Sequence, residues 1–219
     1  MPAQILKIFI ADDHEIVRQG VKNLVENEAD MEVCGEATIG RDAVDLVLKL
    51  KPDVAILDIS MPGLNGIEAA RQILKAQPKT KILMFTMHEA EQLVHEVFKA
   101  GAHGYLLKSD AGRHLIAAIR TVASGSRYFS SKLSDVIFEG FLHKDSPHLP
   151  GEGEQKPSAR EREIIQLLAE GKSNKEVAAT LGISVKTAET HRAAVMRKVG
   201  LHSISELVRY AIRNHIIEP

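Results

Sequence analysis

Val54-Ala55-Ile56-Leu57-Asp58 decides the fold, together with the loop Ile59-Ser60-Met61-Pro62-Gly63-Leu64-Asn65-Gly66 that follows it. Four apolar residues in a row, unbroken by polar ones, predict a strand buried on both faces, as in a parallel sheet covered by helices. Pro52 punctuates its start, and Pro62, Gly63 and Gly66 fix a tight turn at its end. Outward from this run, the chain alternates short apolar segments with longer amphipathic ones. Upstream, residues 5–11 and Met31–Ala37 read as strands. Each is followed by apolar residues at helical spacing: Val17, Val21, Leu24 and Val25, then Ala43, Val44, Val47 and Leu48. Downstream, residues 67–76, 89–100 and Ala111–Ala123 read as helices, and Lys81–Thr86 and Gly104–Leu107 as strands. Five strand-then-helix units predict a parallel sheet with helices on both faces.

The expected fold is therefore α/β: a flavodoxin-like, doubly wound, five-stranded parallel sheet of order 2-1-3-4-5 over residues 1–129. Residues 130–156 change character. A short amphipathic helix is expected over 132–142, through Leu133, Val136, Ile137 and Phe141, and then a Pro-, Gly- and charge-rich linker. Residues 157–219 carry no strand signal. They predict a second, all-α domain of four helices, with Ser158-x-x-Glu161, Ser173-x-x-Glu176 and Ser203-x-x-Glu206 as capping boxes and Ser184 as a simpler cap. Gly171, Gly182 and Gly200 stand where those helices should end. Eight residues, the turn Gly182-Ile183-Ser184 and a longer helix make a helix-turn-helix.

Composition narrows the function. The chain has 219 residues, 44% hydrophobic and 26% charged, and carries a net charge of −1. That neutrality hides an asymmetry, because the segment 171–213 holds 8 basic residues against 3 acidic ones. A mildly acidic front and a basic tail suggest two jobs. One cysteine, Cys34, excludes an internal disulfide and any multi-cysteine metal site, and reads as a small buried hydrophobe. No apolar run approaches the ~18 residues of a membrane span, and the opening residues lack a secretory layout. The expected compartment is the cytoplasm, with no membrane partner. Neither a P-loop nor a G-x-G-x-x-G is present, so nucleotide binding has no support.

In open α/β sheets ligands bind beyond the carboxyl ends of the strands, at the switch in strand order. Asp12 and Asp13 follow the first strand, Asp58 the third, Thr86 ends the fourth and Lys108 follows the fifth. An aspartate at a strand end is most often a turn former or helix cap, and a lysine there a solvated charge. Five such residues on four strand ends of one sheet are a different matter. Three clustered carboxylates require a cation or raised pKa values, and hard oxygen ligands favour Mg²⁺. Asp58, opening its tight loop, is the best nucleophile for a phosphoryl group. Asp13 is the expected direct metal ligand, Asp12 belongs to the outer coordination sphere, and a loop carbonyl near Ser60 is a third ligand. His14 reads as a loop or helix-start residue.

Ile10-Ala11-Asp12-Asp13-His14, Leu57-Asp58-Ile59-Ser60-Met61-Pro62-Gly63, Phe85-Thr86 and Gly104-Tyr105-Leu106-Leu107-Lys108 resemble the receiver domain of two-component response regulators. The resemblance implies that Asp58 is the phosphoacceptor and that Asp12, Asp13 and the Ser60 carbonyl hold Mg²⁺. It also implies that Lys108 pairs with the acyl phosphate, that Thr86 hydrogen-bonds it and that Tyr105 swings inward as Thr86 moves. A sensor histidine kinase is the implied partner. On sequence alone Tyr105 reads as a half-buried strand aromatic sooner than as a switch.

In the tail, Lys186, Thr187, Glu189 and Thr190 open the longer helix, where side chains of a helix-turn-helix face base edges. Arg192, Arg197 and Lys198 lie further along, where basic residues meet phosphates, and Ser173, Asn174 and Lys175 start the preceding helix, whose N–H groups can clamp one. Val185, Ala188, Val195 and Val199 form the expected apolar side. Ala159-Arg160-Glu161-Arg162-Glu163, Leu167-Leu168-Ala169-Glu170-Gly171, Ser173-Asn174-Lys175-Glu176 and Leu181-Gly182-Ile183-Ser184-Val185-Lys186-Thr187 resemble the LuxR-type DNA-binding domain. The whole chain is thus similar to a NarL/FixJ-type response regulator. That implies promoter DNA read in the major groove and a homodimer when phosphorylated or DNA-bound. Pro157-Ser158 and Ala188 depart from the family's usual Leu-Thr and Val, which bears on the opening helix and on the tilt of the recognition helix. Two rivals remain: a Mg²⁺-dependent phosphohydrolase, which would want a second carboxylate where Ser60 stands, and a module whose tail binds protein.

Overall fold

The computed structural model of the chain describes residues 5–129 and 157–218. The helix expected over 132–142 and the linker around it lie outside them. The chain divides into two compact units, an N-terminal α/β unit and a C-terminal helical one.

In the first unit the elements alternate: β1 Leu6–Ala11, α1 Glu15–Glu26, β2 Met31–Ala37, α2 Gly40–Leu50, β3 Val54–Leu57, α3 Gly66–Ala76, β4 Lys81–Thr86, α4 Glu91–Lys99, β5 Gly104–Leu107 and α5 Ala111–Ala123. A further strand, β6 Tyr128–Phe129, lies beside β5. The sheet runs β2-β1-β3-β4-β5-β6 with every pair parallel. This corrects the expected five strands to six. The reason is local: two residues after Gly125 are too short a run to show any period.

All four residues of β3 are buried, as the unbroken apolar run demands. Ile8, Ile10, Val54, Ile56, Leu83, Phe85 and Leu106 share one face of the sheet with Val21 and Val25 of α1 and Leu115, Ala118, Ile119 and Val122 of α5. Phe9, Ala55 and Leu57 alternate with these and so point to the opposite face, where they too are buried. Cys34 is half-buried rather than buried, because β2 is an edge strand and its register with β1 shifts beside that residue. Burial on its inner side pushes the thiol's pKa up.

Among the described residues of the second unit four helices form, α6 Ala159–Ala169, α7 Asn174–Leu181, α8 Val185–Lys198 and α9 Ile204–Arg213. Ser158, Ser173 and Ser203 complete reciprocal capping boxes, and the Ser184 side chain accepts from Thr187 N alone. Gly182 ends α7 at φ 63°, a left-handed conformation that lets the chain turn into α8 within three residues. Ile164, Leu168, Val177, Ala188, Val195, Leu207 and Ala211 make the core. Val185 is exposed instead of joining it, because it is the first helical residue after the cap. No described helix is long and apolar enough to cross a membrane.

Candidate functional site

Strand register builds the acidic pocket. Ala11 pairs with Leu57, so the residues that follow each, Asp12 and Asp58, leave the sheet side by side. Two bonds pin the exits: Asp58 N donates to Ala11 O at 2.8 Å, and Asp12 N to Ala37 O at 3.1 Å. Thr86 pairs with Leu107, which puts Lys108 at the same edge. Lys108 Nζ lies 2.8 Å from Asp12 Oδ2 and 3.0 Å from Asp58 Oδ2, with all three side chains almost fully buried. The other Asp58 oxygen, Oδ1, accepts from Ile59 N at 2.8 Å.

Asp13 joins through His14. The His14 Nδ1 atom is 2.8 Å from Asp13 Oδ1 and 3.3 Å from Asp12 Oδ1, and its backbone N–H donates to Asp12 Oδ1 at 2.9 Å. His14 is the residue before α1, as expected. Its ring nevertheless enters the cluster: one ligand-type atom from each of Asp12, Asp13, His14 and Asp58 falls within 4.8 Å of the others. The ring is held there by Asp13 and Asp12, contacts that its position in the chain does not disclose.

Two carboxylates, Asp12 and Asp58, face the Lys108 ammonium, and Asp13 stands beside them. Burial, reinforced by Asp12 and opposed by Lys108, pushes the Asp58 carboxyl up to about 6. Burial by itself would push Lys108 down, but Asp58 and Asp12 outweigh it and hold the ammonium above its ordinary value. The clustered carboxylate oxygens could hold a metal ion, and hard oxygen donors suit a small divalent cation. Asp13 is the most exposed of the three aspartates and so the readiest to bind directly, whereas Asp12 is committed to Lys108 and the His14 amide.

Around this pocket sits a hydrogen-bonded rim. Thr86 Oγ1 accepts from His88 N at 3.3 Å, Ser60 Oγ lies 3.1 Å from His88 Nε2, and Tyr105 Oη donates to His88 O at 2.7 Å. Sequence reasoning missed His88, because a histidine in a loop carries no periodic or motif signal. Tyr105 is wholly buried, not half-buried as a strand aromatic would be, and its ring already points inward. A buried phenol needs a partner, and the His88 carbonyl supplies it. Burial, with the Asp58 charge behind it, pushes the phenol's pKa up.

The candidate nucleic-acid surface divides by what each side chain already does. Ser173, Lys175, Lys186, Thr187, Glu189, Thr190 and Arg197 are exposed. Ser173 is spent on capping α7, Thr187 pairs with Ser184 at 2.8 Å, and Thr190 donates to Lys186 O at 2.9 Å. Arg192 reaches Asn174 Oδ1 at 3.4 Å, joining the two helices of the helix-turn-helix. Lys198 is tied to Glu161 Oε2 at 2.7 Å, a bond that also holds the Glu161 carboxyl below its usual range.

Comparison with known proteins agrees with both units. Residues 8–120 match the response regulator receiver domain, and residues 157–211 match the bacterial regulatory proteins of the luxR family. The oxygen regulatory protein NreC of Staphylococcus epidermidis is 41% identical over 217 residues, covering 97% of this chain and all of that protein. The Staphylococcus aureus protein of the same name is 40% identical over 216 residues, with the same coverage of both. Among solved structures, a LuxR-family two-component response regulator from Aurantimonas sp. SI85-9A1 has a TM-score of 0.61 at 34% identity, covering 64% of this chain and 99% of that one. A complex of the response regulator RcsB with DNA has a TM-score of 0.60 at 27% identity, covering 94% and 98%.

Proposed function

Because the chain belongs to the two-component response regulators that join a receiver domain to a LuxR-type DNA-binding domain and regulate transcription, we propose that Asp58 is its phosphoacceptor. The observation that carries this is the buried Asp58 carboxylate with Lys108 Nζ 3.0 Å away, beside Asp12 and Asp13 at the end of the sheet. An Asp58 oxygen attacks phosphorus, an O–P bond forms, and the bond from phosphorus to the donor's nitrogen or oxygen breaks. The donor is a sensor histidine kinase or a small phosphodonor. Asp13, Asp58 and the Ser60 carbonyl would hold Mg²⁺, with Asp12 behind them, and the ion would supply charge neutralisation for the transferring group. Lys108 follows the new phosphoryl oxygens, and Thr86 turns its hydroxyl toward them. The chemistry of the chain on this reading is self-phosphorylation and slow hydrolysis of the acyl phosphate. A phosphohydrolase would place an acid two residues past Asp58, where Ser60 instead pairs with His88.

The added phosphoryl brings about one extra negative charge and three acceptor oxygens. It biases a two-state receiver, and full switching takes a bias of up to about 5.5 kcal/mol. The segment 130–156 links the receiver at 1–129 to the DNA-binding domain at 157–219. Lys186, Thr187, Glu189 and Thr190 face bases, while Ser173, Asn174, Lys175, Arg192, Arg197 and Lys198 lie along the backbone. A homodimer spans half-sites about 34–36 Å apart. The single cysteine and the ordinary soluble composition support action in the cytoplasm.

Treatment with acetyl phosphate and Mg²⁺, followed by peptide mapping, should place the label on Asp58; a label on any other residue sinks the assignment. For the tail, Arg197→Ala should weaken binding to all duplexes alike and reduce the slope of log affinity against log salt by about one. Lys198→Ala, which also breaks the Glu161 pair, should in addition lower the melting point of the tail. An unchanged slope for Arg197→Ala removes that residue from the phosphate-contacting set.

A further inference from the structure

We propose that β6 is the coupling strand through which the Asp58 pocket acts on the chain leading to the C-terminal unit, and that phosphorylation loosens its pairing with β5. The inference rests on the function proposed above and concerns how its output leaves the receiver. β6 is the element of the first unit nearest in sequence to the second among the described residues.

Two routes run from the pocket to this strand. Along the backbone, Tyr105 pairs in register with Phe129, and Gly104 with Tyr128. Tyr105 is also the residue whose hydroxyl is tethered to His88 O, while His88 N is tethered to Thr86 Oγ1. Through side chains, the Phe129 ring packs on Phe98 of α4, with centroids 4.7 Å apart and planes at 55°, and the Arg127 guanidinium lies 5.6 Å from the Phe98 ring centre. The helix carrying Phe98 begins three residues after His88. Any shift of Thr86 toward a phosphoryl group on Asp58 therefore pulls on both routes, and both end at Phe129.

The strand is built to yield. Among the described residues it lies at the edge of the sheet, with β5 alone beside it. Tyr128 N donates to His103 O at 3.1 Å, and the side chains of β6 are only half-buried. Such segments open at free energies far below that of the whole domain. Close approach to β5 depends on Gly104, where an added Cβ would lie 3.3 Å from Tyr128 O. A weakly held strand next to a firmly held tyrosine is the kind of two-state element that a small bias can move.

The test uses the full chain with and without acetyl phosphate and Mg²⁺. Amide hydrogen exchange at Tyr128 and Phe129 should quicken about tenfold on phosphorylation, within the usual range of coupling between sites. Phe129→Ala should show the quick exchange without phosphodonor, while Asp58 labelling stays near the wild-type rate. On a duplex selected from a random pool by the phosphorylated wild-type chain, its affinity ratio between the two states should fall about fivefold, and Phe129→Tyr should restore it. Labelled wild-type protein with unchanged or slower exchange at both amides overturns the inference and leaves the phosphoacceptor assignment standing. Absence of label on wild-type Asp58 overturns both.

Discussion

Asp58→Asn should take up no label from acetyl phosphate and, in metal-free buffer at neutral pH, should be more stable than the wild-type chain. The first half follows from the nucleophile: an amide oxygen does not displace the donor's leaving group. The second half follows from the pocket's electrostatics. Burial has moved the Asp58 carboxyl from 3.8 to about 6, so the folded chain holds its proton more tightly than the unfolded one. The stability associated with this group is therefore fully present below pH 4 and is lost as pH rises to about 6. Above that, the ionised carboxylate weakens the fold by up to about 3 kcal/mol. Asparagine removes that burden while Lys108 keeps Asp12 as its partner at 2.8 Å. Urea midpoints of the two proteins should thus diverge between pH 4 and 6, with the variant ahead. Mg²⁺ should narrow the gap by stabilising the wild type more than the variant. Midpoints that stay parallel across the range would remove the buried charge as a source of instability.

Gly66→Ala should destabilise the first unit by several kcal/mol and slow Asp58 labelling at the same time. A Cβ on Gly66 would fall 1.9 Å from Asp58 O, 2.8 Å from Asp58 C and 3.1 Å from Ile59 Cα. All three are backbone atoms, so no flexible side chain can yield. Gly66 N donates to Ile59 O at 2.8 Å, which keeps the start of α3 pressed against the nucleophile's own peptide. Overpacking in a rigid site ordinarily costs about 1–3 kcal/mol, and this contact is well inside that regime's worst cases. Relief requires moving either the helix or Asp58, and moving Asp58 by even an ångström spoils in-line attack. The check is a denaturation curve of the full chain together with the labelling rate. A wild-type midpoint with a wild-type rate would show that the loop has room to spare.

Much of this is legible in the sequence. The unbroken Val54-Ala55-Ile56-Leu57 run gave a strand covered on both faces, and all four residues are buried. Three serine-to-glutamate capping boxes placed the starts of three of the four tail helices. These are local signals, carried by residues no more than four apart. The pocket was legible for a different reason: parallel strands bring their carboxyl ends to one edge, so knowing which residues follow each strand was enough to bring Asp12, Asp58 and Lys108 together.

What escaped were features made by long-range contact alone. Nothing in Tyr128-Phe129 marks a strand, since two residues have no period; the edge of β5 recruits them. Nor does the chain position of His88 disclose that it gathers Thr86, Ser60 and Tyr105 around one loop. Nor does the position of Lys198 disclose its pairing with Glu161, 37 residues earlier. The sequence by itself determined the alternation of elements, their ends and the chemistry at each strand terminus, because these depend on local periodicity and capping. Only the tertiary structure decided which polar groups are already partnered and which edge takes a sixth strand, because those outcomes depend on distances between segments that no local pattern encodes.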